Sequence, residues 1–179
     1  MNRKKRLEEL GRLSVTDFQE APKTPLIVVL DDVRSALNVG SVFRTADAFR
    51  LEAVYLCGIT ATPPNNDIRK TALGASESVT WRQFASALDA VEELQKDGVP
   101  VVAVEQAEQT VSLPDFVPEP NARYALVFGN EVNGVAQEVV DQADTCLEIP
   151  QFGTKHSLNI SISVGIVVWD VWSKWAAVR

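Results

Sequence analysis

The sequence has few of the residues that cross-link a chain or bind a metal. Its 179 residues include two cysteines, Cys57 and Cys146, and a single histidine, His156. Two cysteines do not make a disulfide framework, and they cannot complete a zinc site by themselves. We expect both to be small buried hydrophobic side chains, and we expect no bound metal.

Long apolar runs are missing as well. The longest apolar stretches have the length of a strand, so the sequence predicts no transmembrane helix. The first residues, MNRKKRLEELGRL, are charged throughout and lack the apolar core of a signal peptide. These absences predict a cytoplasmic protein without a membrane partner.

Positive charge is also scarce, since the formal net charge is -7. Proteins that bind nucleic acids are more often basic, because neutralising phosphates supplies much of their affinity. The net charge therefore counts against a nucleic-acid partner. One basic cluster near the start is either a solvated helix face or a contact for a polyanion. It consists of Arg3, Lys4, Lys5, Arg6 and Arg12.

The remaining chain alternates apolar, strand-like runs with helical patterns. Strands are predicted over 25–32, 53–57, 79–81, 99–104, 124–128 and 145–149. Helices are predicted over 39–49, 85–96 and 135–143, and a loop is predicted around 63–66. This alternation predicts an α/β fold, with a mostly parallel sheet that helices cover on both faces.

The C-terminal segment fits two periodicities. Residues 159–166 alternate polar and apolar, as in a half-buried strand, yet apolar residues also recur in steps of three and four. About twenty residues without a turn signal exceed a usual strand, so we predict a long helix. Its tryptophans, Trp169, Trp172 and Trp175, are typical of a core or a dimer interface rather than of a platform for RNA bases.

Three polar clusters follow predicted strands, at 31–44, 129–134 and 150–159. In open α/β sheets, ligands bind beyond the carboxyl ends of the strands, so these clusters are the candidate site. The sequence has no Gly-x-Gly-x-x-Gly after a strand and no Walker loop. A dehydrogenase, a P-loop enzyme and a Rossmann-type methyltransferase are therefore disfavoured.

The same clusters carry a family resemblance. LDDVRSALNVGSVFRTADAF, ALVFGNEVNGV and IPQFGTKHSLNISIS resemble, in order and spacing, the three motifs of the SpoU/TrmH (SPOUT) RNA 2'-O-ribose methyltransferases, and KTALGASE between them is also similar. The resemblance runs from about residue 26 to residue 172. It divides the chain into a basic N-terminal extension over 1–25, helical in part, and a methyltransferase domain over 26–179.

The resemblance implies a C-terminal trefoil knot, S-adenosylmethionine as cofactor, and a homodimer with its active site near the interface. The implied substrate is RNA, with tRNA favoured over rRNA. Two alternatives stay open. One is a knotted module that binds RNA or cofactor without transferring a methyl group, and the other is methylation of a base.

Five residues match the positions that the family uses for catalysis: Arg44, Asn38, Glu131, Ser157 and Asn159. A guanidinium is a poor base, so we expect Arg44 to hold ribose or phosphate and to stabilise negative oxygen. Without the motif, Arg44 would fit a surface ion pair. Glu131 is expected to orient Arg44 or Asn38, and is otherwise an acid in a turn. Asn38 and Ser157 would also fit helix caps.

The implied cofactor pocket consists of Glu105, Gly129, Ile149, Pro150, Ser157 and Leu158, and Gln106, next to Glu105, is a further candidate. Gly40 is expected to allow a close backbone approach. Asn133-Gly134 is a tight-turn signal that would also fit a hairpin. His156 is expected to be a loop residue without a catalytic role, although its pKa range would suit a general base. Val132 stands where the family usually has glycine, which puts the conformation of this loop in doubt.

Overall fold

A computed structural model of the chain describes residues 2–120 and 122–177. A short 3-10 turn, Leu7–Leu10, comes first. The helices are α1 Val15–Glu20, α2 Ala36–Ala48, α3 Asn66–Ala72, α4 Ala75–Ser78, α5 Ala87–Lys96, α6 Gln137–Gln142 and α7 Ile160–Ala177. The strands are β1 Thr24–Asp31, β2 Leu51–Cys57, β3 Trp81–Phe84, β4 Val101–Val104, β5 Val111–Ser112, β6 Tyr124–Phe128 and β7 Thr145–Glu148.

The seven strands form one parallel sheet in the order β3-β2-β1-β6-β4-β7-β5. β1 and β6 lie side by side at its centre, where Val28 is paired with Val54 on one side and with Leu126 on the other. The predicted α/β class and parallel sheet are confirmed. Because all pairs are parallel, the carboxyl ends of the strands share one edge.

Side chains of the central strands are buried on both faces. Leu26, Val28 and Leu30 pack with α2 and α7, whereas Ile27 and Val29 pack with α5 and α6 on the opposite face. Continuous apolar runs are what a strand buried on both faces requires. Helices therefore cover both faces, as predicted.

Helix α2 runs from the carboxyl edge of the sheet. Ser35 is its N-cap, with a side-chain oxygen that accepts a hydrogen bond from the N–H of Asn38 at 3.3 Å. Gly40 lies against α3, where an added Cβ would come within 2.3 Å of the Ile68 carbonyl oxygen. The expected close backbone approach at Gly40 is confirmed.

Several boundaries differ from the predictions. The third strand is Trp81–Phe84 rather than 79–81, because Val79 is the C-cap of the unpredicted helix α4. Helix α3 was missed because only Ile68 and Ala72 are buried, which leaves too few apolar positions for a clear period. Strand β5 was missed because its two residues are too few to show a period.

The remaining boundary shifts are small. β4 begins after Pro100, which has no N–H to donate to a neighbouring strand. β7 ends at Glu148. Helix α5 begins after its cap Ser86, and α6 is shorter than predicted. The C-terminal helix is confirmed as α7, with Trp175 buried and Trp169 55% exposed.

The two cysteines differ in burial. Cys57 is fully buried as expected, and burial together with nearby carboxylates raises the pKa of its thiol to about 12. Cys146 is only half-buried, so that part of the expectation is wrong: its strand lies near the sheet edge and its Sγ donates to the Glu105 carbonyl. Within the described residues, none of the helices has the length and apolar character that crossing a membrane requires.

The central strands should dominate stability. Leu126 is fully buried between β1 and β4, so Leu126→Ala is expected to lower the free energy of unfolding by about 2–5 kcal/mol through the cavity that it leaves. Val117 is 82% exposed, and Val117→Ala is the control, expected to change it by less than about 0.5 kcal/mol. Denaturant unfolding measures both, and equal effects would contradict this account of the core.

Candidate active site

The loops after β4, β6 and β7 surround a cavity of about 580 Å³ at the carboxyl edge of the sheet. This volume is within the range of about 300–1,000 Å³ that small-molecule sites occupy. The walls are apolar at Val104, Phe128, Ile149 and Leu158. The charged groups that line it are the carboxylates of Glu105 and Glu131, and no lysine or arginine of the described residues is among its walls.

The loop after β6 is built on two glycines. An added Cβ on Gly129 would lie 1.8 Å from the carbonyl carbon of Gly134, so only glycine fits. Asn130 and Gly134 exchange backbone hydrogen bonds at 3.1 Å in both directions. Gly134 has φ +69°, a left-handed conformation that favours glycine. The tight turn is confirmed, whereas a hairpin is excluded because α6 follows at Gln137.

Val132 fits this turn without strain. Its N–H donates to the side-chain oxygen of Asn130 at 3.0 Å, and Asn133 donates to the same oxygen at 2.9 Å. Val132 is not one of the residues with positive φ. The loop therefore accepts valine at this position without a left-handed backbone.

Two carboxylates hold the far end of the same loop. Glu105 accepts hydrogen bonds from the N–H of Val135 at 2.9 Å and from that of Gln106 at 2.8 Å. Asp31, at the end of β1, is buried and accepts from the N–H of Ala136 at 2.8 Å. Burial raises the pKa of Asp31 despite this bond. Glu105 thus positions the loop as well as lining the cavity.

Asn38 joins the three motifs. Its Nδ2 donates to Glu131 Oε1 at 2.9 Å, and its Oδ1 accepts from Asn159 Nδ2 at 3.2 Å. Glu131 also accepts from the backbone N–H groups of Arg34 at 3.2 Å and Ser35 at 3.3 Å. A side chain after β1 is therefore bonded to one after β6 and to another after β7. Of the two candidates for a bond to Glu131, Asn38 makes one and Arg44 does not.

The hydrogen bonds also decide the capping alternatives. Asn159 Oδ1 accepts from the N–H of Ser161 at 2.9 Å, so Asn159 caps α7. Ser35 caps α2. Caps at Asn38 and Ser157 are therefore wrong, and Ser157 is an exposed residue on the cavity wall.

Glu131 is held in its charged form. Partial removal from water would raise the pKa of its carboxyl. Hydrogen bonds from its own N–H, the Asn38 amide and the N–H groups of Arg34 and Ser35 outweigh that effect and lower the pKa below its ordinary value. Glu131 is thus an anchor for Asn38 rather than a proton acceptor near neutral pH.

Three predicted site residues are not among those that line the cavity: Asn38, Pro150 and Arg44. Pro150 is exposed, while its neighbours Ile149 and Gln151 line the cavity. Arg44 is exposed and is not a lining residue. It lies six positions after Asn38, which on a helix is about 9 Å along the axis and roughly 120° around it. Within the described ranges Arg44 makes no ion pair, so the alternative interpretation of Arg44 as part of a surface ion pair has no support.

Residues beyond the predicted set also contribute. The wall includes Asn130 and Asn133, and the Asn-x-x-Asn-Gly spacing of an Asx turn was the signal for them. Gln106, which was among the candidates, also lies on the wall and donates to the His156 carbonyl at 2.7 Å, which connects the end of β4 to the segment before α7. His156 lies in that exposed segment and lines the cavity.

The chain belongs to the SpoU rRNA methylase family, whose model matches residues 25–169. A 23S rRNA (guanosine-2'-O-)-methyltransferase of Ralstonia nicotianae is 33% identical over 147 residues, which are 82% of this chain and 57% of the relative. The chain spans roughly six-tenths of the curated relatives that it matches.

Solved structures agree with the family. An AdoMet-bound rRNA methyltransferase from Sinorhizobium meliloti is 26% identical with a TM-score of 0.75, over 86% of this chain and 59% of that one. A structure concerned with 2-OH methylation of C/U34 on tRNA is also 26% identical with a TM-score of 0.75, over 87% of this chain and 100% of that one.

Glu131 should contribute stability that depends on pH. Its folded pKa is lowered, so its contribution is present above the unfolded value of about 4.3 and is lost as pH falls through the folded value. Glu131→Gln is expected to lower the free energy of unfolding by about 1 kcal/mol at pH 7 and to match the wild type at low pH. Denaturant unfolding across pH measures this.

The control is Glu20→Gln, since the exposed Glu20 side chain makes no hydrogen bond to any of the described residues. It should follow the wild type at every pH. A Glu131→Gln difference that persisted unchanged at low pH would contradict the role of the charged carboxylate.

Proposed function

We propose that this chain transfers a methyl group from S-adenosylmethionine to a ribose 2'-hydroxyl of RNA. The observation that carries the proposal is the Glu131–Asn38–Asn159 chain of hydrogen bonds, which joins all three motifs beside one cavity. Family membership and the AdoMet-bound relative support the same reading.

The cavity suits this cofactor by charge and by shape. Its carboxylates and the lack of lysine or arginine on its described walls favour a cation such as a sulfonium. Ile149 and Leu158 offer an apolar surface to an adenine ring, and Gly129 leaves backbone groups accessible. When bound, the cofactor supplies an electrophilic methyl group. Ser157 and the segment at Pro150 complete the proposed pocket.

The residues around Asn38 align the reacting hydroxyl. Glu131 is only an acceptor, so it fixes which end of the Asn38 amide faces it, and Asn159 donates to the other end. The second Nδ2 hydrogen of Asn38 is left for a ribose oxygen. Arg44 would contact the ribose or an adjacent phosphate and stabilise the oxygen as it loses its proton. Alignment and electrostatics, rather than a strong base, are the catalytic contributions that we propose.

We infer that Arg44 acts in a homodimer. Leu37, Ser41, Arg44 and Ala48 lie along one side of α2, and α7 packs beside it with Trp169 and Trp172 against Phe49 at 6.0 and 5.6 Å between ring centres. The exposed apolar residues of these two helices are Leu37, Ile162, Ile166 and Trp169, which we call the α2–α7 face. Covering them with a second copy would remove apolar surface from water and bring Arg44 towards the partner's cavity.

We propose a trefoil knot for the C-terminal segment. Lys174 on α7 donates to the carbonyls of Leu113 at 2.7 Å and Phe116 at 2.8 Å, and Trp175 Nε1 donates to that of Glu119 at 2.9 Å. These bonds hold α7 beside the connection between β5 and β6, which supports threading there. The proposed methyltransferase domain is 26–179, with 1–25 as a basic extension whose Phe18 packs in the core.

We favour tRNA as the substrate and the cytoplasm as the location of the protein. The similarity to the structure concerned with 2-OH methylation of C/U34 on tRNA supports this preference. Mass spectrometry of nucleosides from cellular RNA with and without the protein would identify the RNA, through a lost 2'-O-methylnucleoside.

Arg44→Ala should separate binding from transfer. Calorimetry is expected to give unchanged S-adenosylmethionine affinity, because Arg44 is not on the cavity wall. Turnover on the identified RNA should fall by about 100-fold or more. The control, Lys96→Ala, removes an exposed cation of α5 that pairs with Glu92 and should retain activity. Full activity in Arg44→Ala would refute its role, and wild type that binds cofactor but methylates no RNA would favour the binding module.

The homodimer should depend on the α2–α7 face. Light scattering at micromolar concentration is expected to give the mass of a dimer for the wild type, and that of a monomer for Trp169→Asp, because a charge replaces an exposed apolar ring. Val117→Asp, at an exposed apolar residue elsewhere, should remain dimeric. A monomeric wild type would overturn the assignment.

A further inference from the structure

A second cavity lies outside the candidate active site, between the loop after β2 and the edge strand β3. Its volume is about 450 Å³, and its walls include Pro63, Pro64, Arg69 and Trp81 together with polar groups of α3 and α4. None of these residues lines the cavity beside Asn38. A cavity of this kind, with an aromatic ring and a guanidinium, fits a small planar anionic ligand.

Trp81 offers an aromatic surface in this cavity. It is the first residue of β3, it is partly buried, and it packs against the core on the α2 side of the sheet. Within the described ranges Trp81 pairs with no other aromatic ring, whereas Trp169 and Trp172 stack with each other and with Phe49. An unstacked aromatic ring in a cavity is a surface on which a nucleobase can stack.

Arg69 supplies the charge. Its side chain is exposed on α3 and has no ion pair recorded over residues 2–120 and 122–177. Neighbouring cations are engaged: Lys70 pairs with Asp67 at 2.7 Å, and Arg82 pairs with Glu93. A guanidinium beside an aromatic ring can bind a phosphate while the ring takes the base.

The charge distribution favours this side of the molecule for RNA. Twelve of the 17 lysines and arginines fall in residues 1–82, whereas fourteen of the 24 acids fall in 83–179. The opposite end of the sheet has a wide groove that would repel phosphates. Its acidic residues are Glu105, Glu108, Asp141, Asp144 and Glu148. A polyanion would therefore avoid that groove.

We propose that the cavity binds one unpaired nucleotide of the RNA substrate, away from the methylated ribose, with its base on Trp81 and its phosphate on Arg69. Glu77, also on the wall, adds an acceptor for an amino group of the base. This proposal rests on the proposed function, because it takes RNA as the substrate. It adds a contact that selects RNA through a nucleotide on which no chemistry occurs.

The test compares neighbouring cations on one helix. The full chain is titrated with a fluorescent single-stranded oligoribonucleotide of mixed sequence and with bulk tRNA at fixed salt. Arg69→Ala should weaken binding about fivefold to tenfold, whereas Lys70→Ala, which removes the same charge one residue away, should change it less than about twofold. Trp81→Leu should weaken binding about tenfold, and Trp81→Phe should fall between it and the wild type.

Cross-linking of the wild type tests the site without relying on the folding of any variant. Ultraviolet cross-linking of the wild type to the oligoribonucleotide should attach nucleotides to the tryptic peptide 71–82, which contains Trp81. The nucleotide site is overturned if Arg69→Ala and Lys70→Ala weaken binding equally. It is also overturned if no cross-link falls within 63–82.

Methyl transfer separates this proposal from the proposed function. If the wild type methylates RNA and Arg69→Ala binds RNA as the wild type does, the nucleotide site is wrong and the methyltransferase stands. If RNA binding depends on Arg69 and Trp81 but no RNA is methylated, the site stands and the proposed activity fails.

Discussion

The Asn38 amide, held between the Glu131 carboxylate and the Asn159 amide, is the interaction on which the geometry of the site depends. It connects positions 93 and 121 residues apart in the chain. The segment after β7 is exposed from Phe152 to Asn159, and the loops after β1 and β6 each bury one apolar side chain, Val33 and Val135. Because Asn159 also caps α7, the same side chains that align the loops fix the start of the last helix against α2.

Hydrogen bonds, rather than apolar packing, order these loops because a ligand has to enter the cavity between them. A site closed by apolar packing would exclude it, whereas amides and a carboxylate remain ordered while facing water. The backbone of the β6 loop is held separately, by Glu105 at Val135 and by Asp31 at Ala136. Gly129 and Gly134 let the two sides of this loop approach so closely that no side chain would fit. The donors around the cavity are thus positioned before any ligand binds, which lowers the cost of ordering them later.

How much could be predicted from the sequence depended on burial. Strands such as β1 and β6, buried on both faces, have continuous apolar runs that identify them. Helix α3 buries only Ile68 and Ala72, and β5 has two residues, so neither leaves a period to detect. In the site, the motifs indicated which residues to consider. The motifs could not show which way each side chain faces. Asn38 and Arg44 belong to one motif, yet they lie on different sides of α2 because of the helical geometry.

The charges of the cavity bear on turnover as well as on binding. Its two carboxylates accept hydrogen bonds from backbone N–H groups, and no lysine or arginine is among the described walls. Such a cavity attracts a sulfonium donor. In the proposed reaction, methyl transfer would remove the positive charge, and the neutral thioether product would lose that attraction. The charge that favours binding of the proposed donor therefore also favours replacement of the neutral product by a new donor. An acidic site, on an acidic chain, is then consistent with the proposed RNA methyltransferase if its phosphate contacts lie on other surfaces.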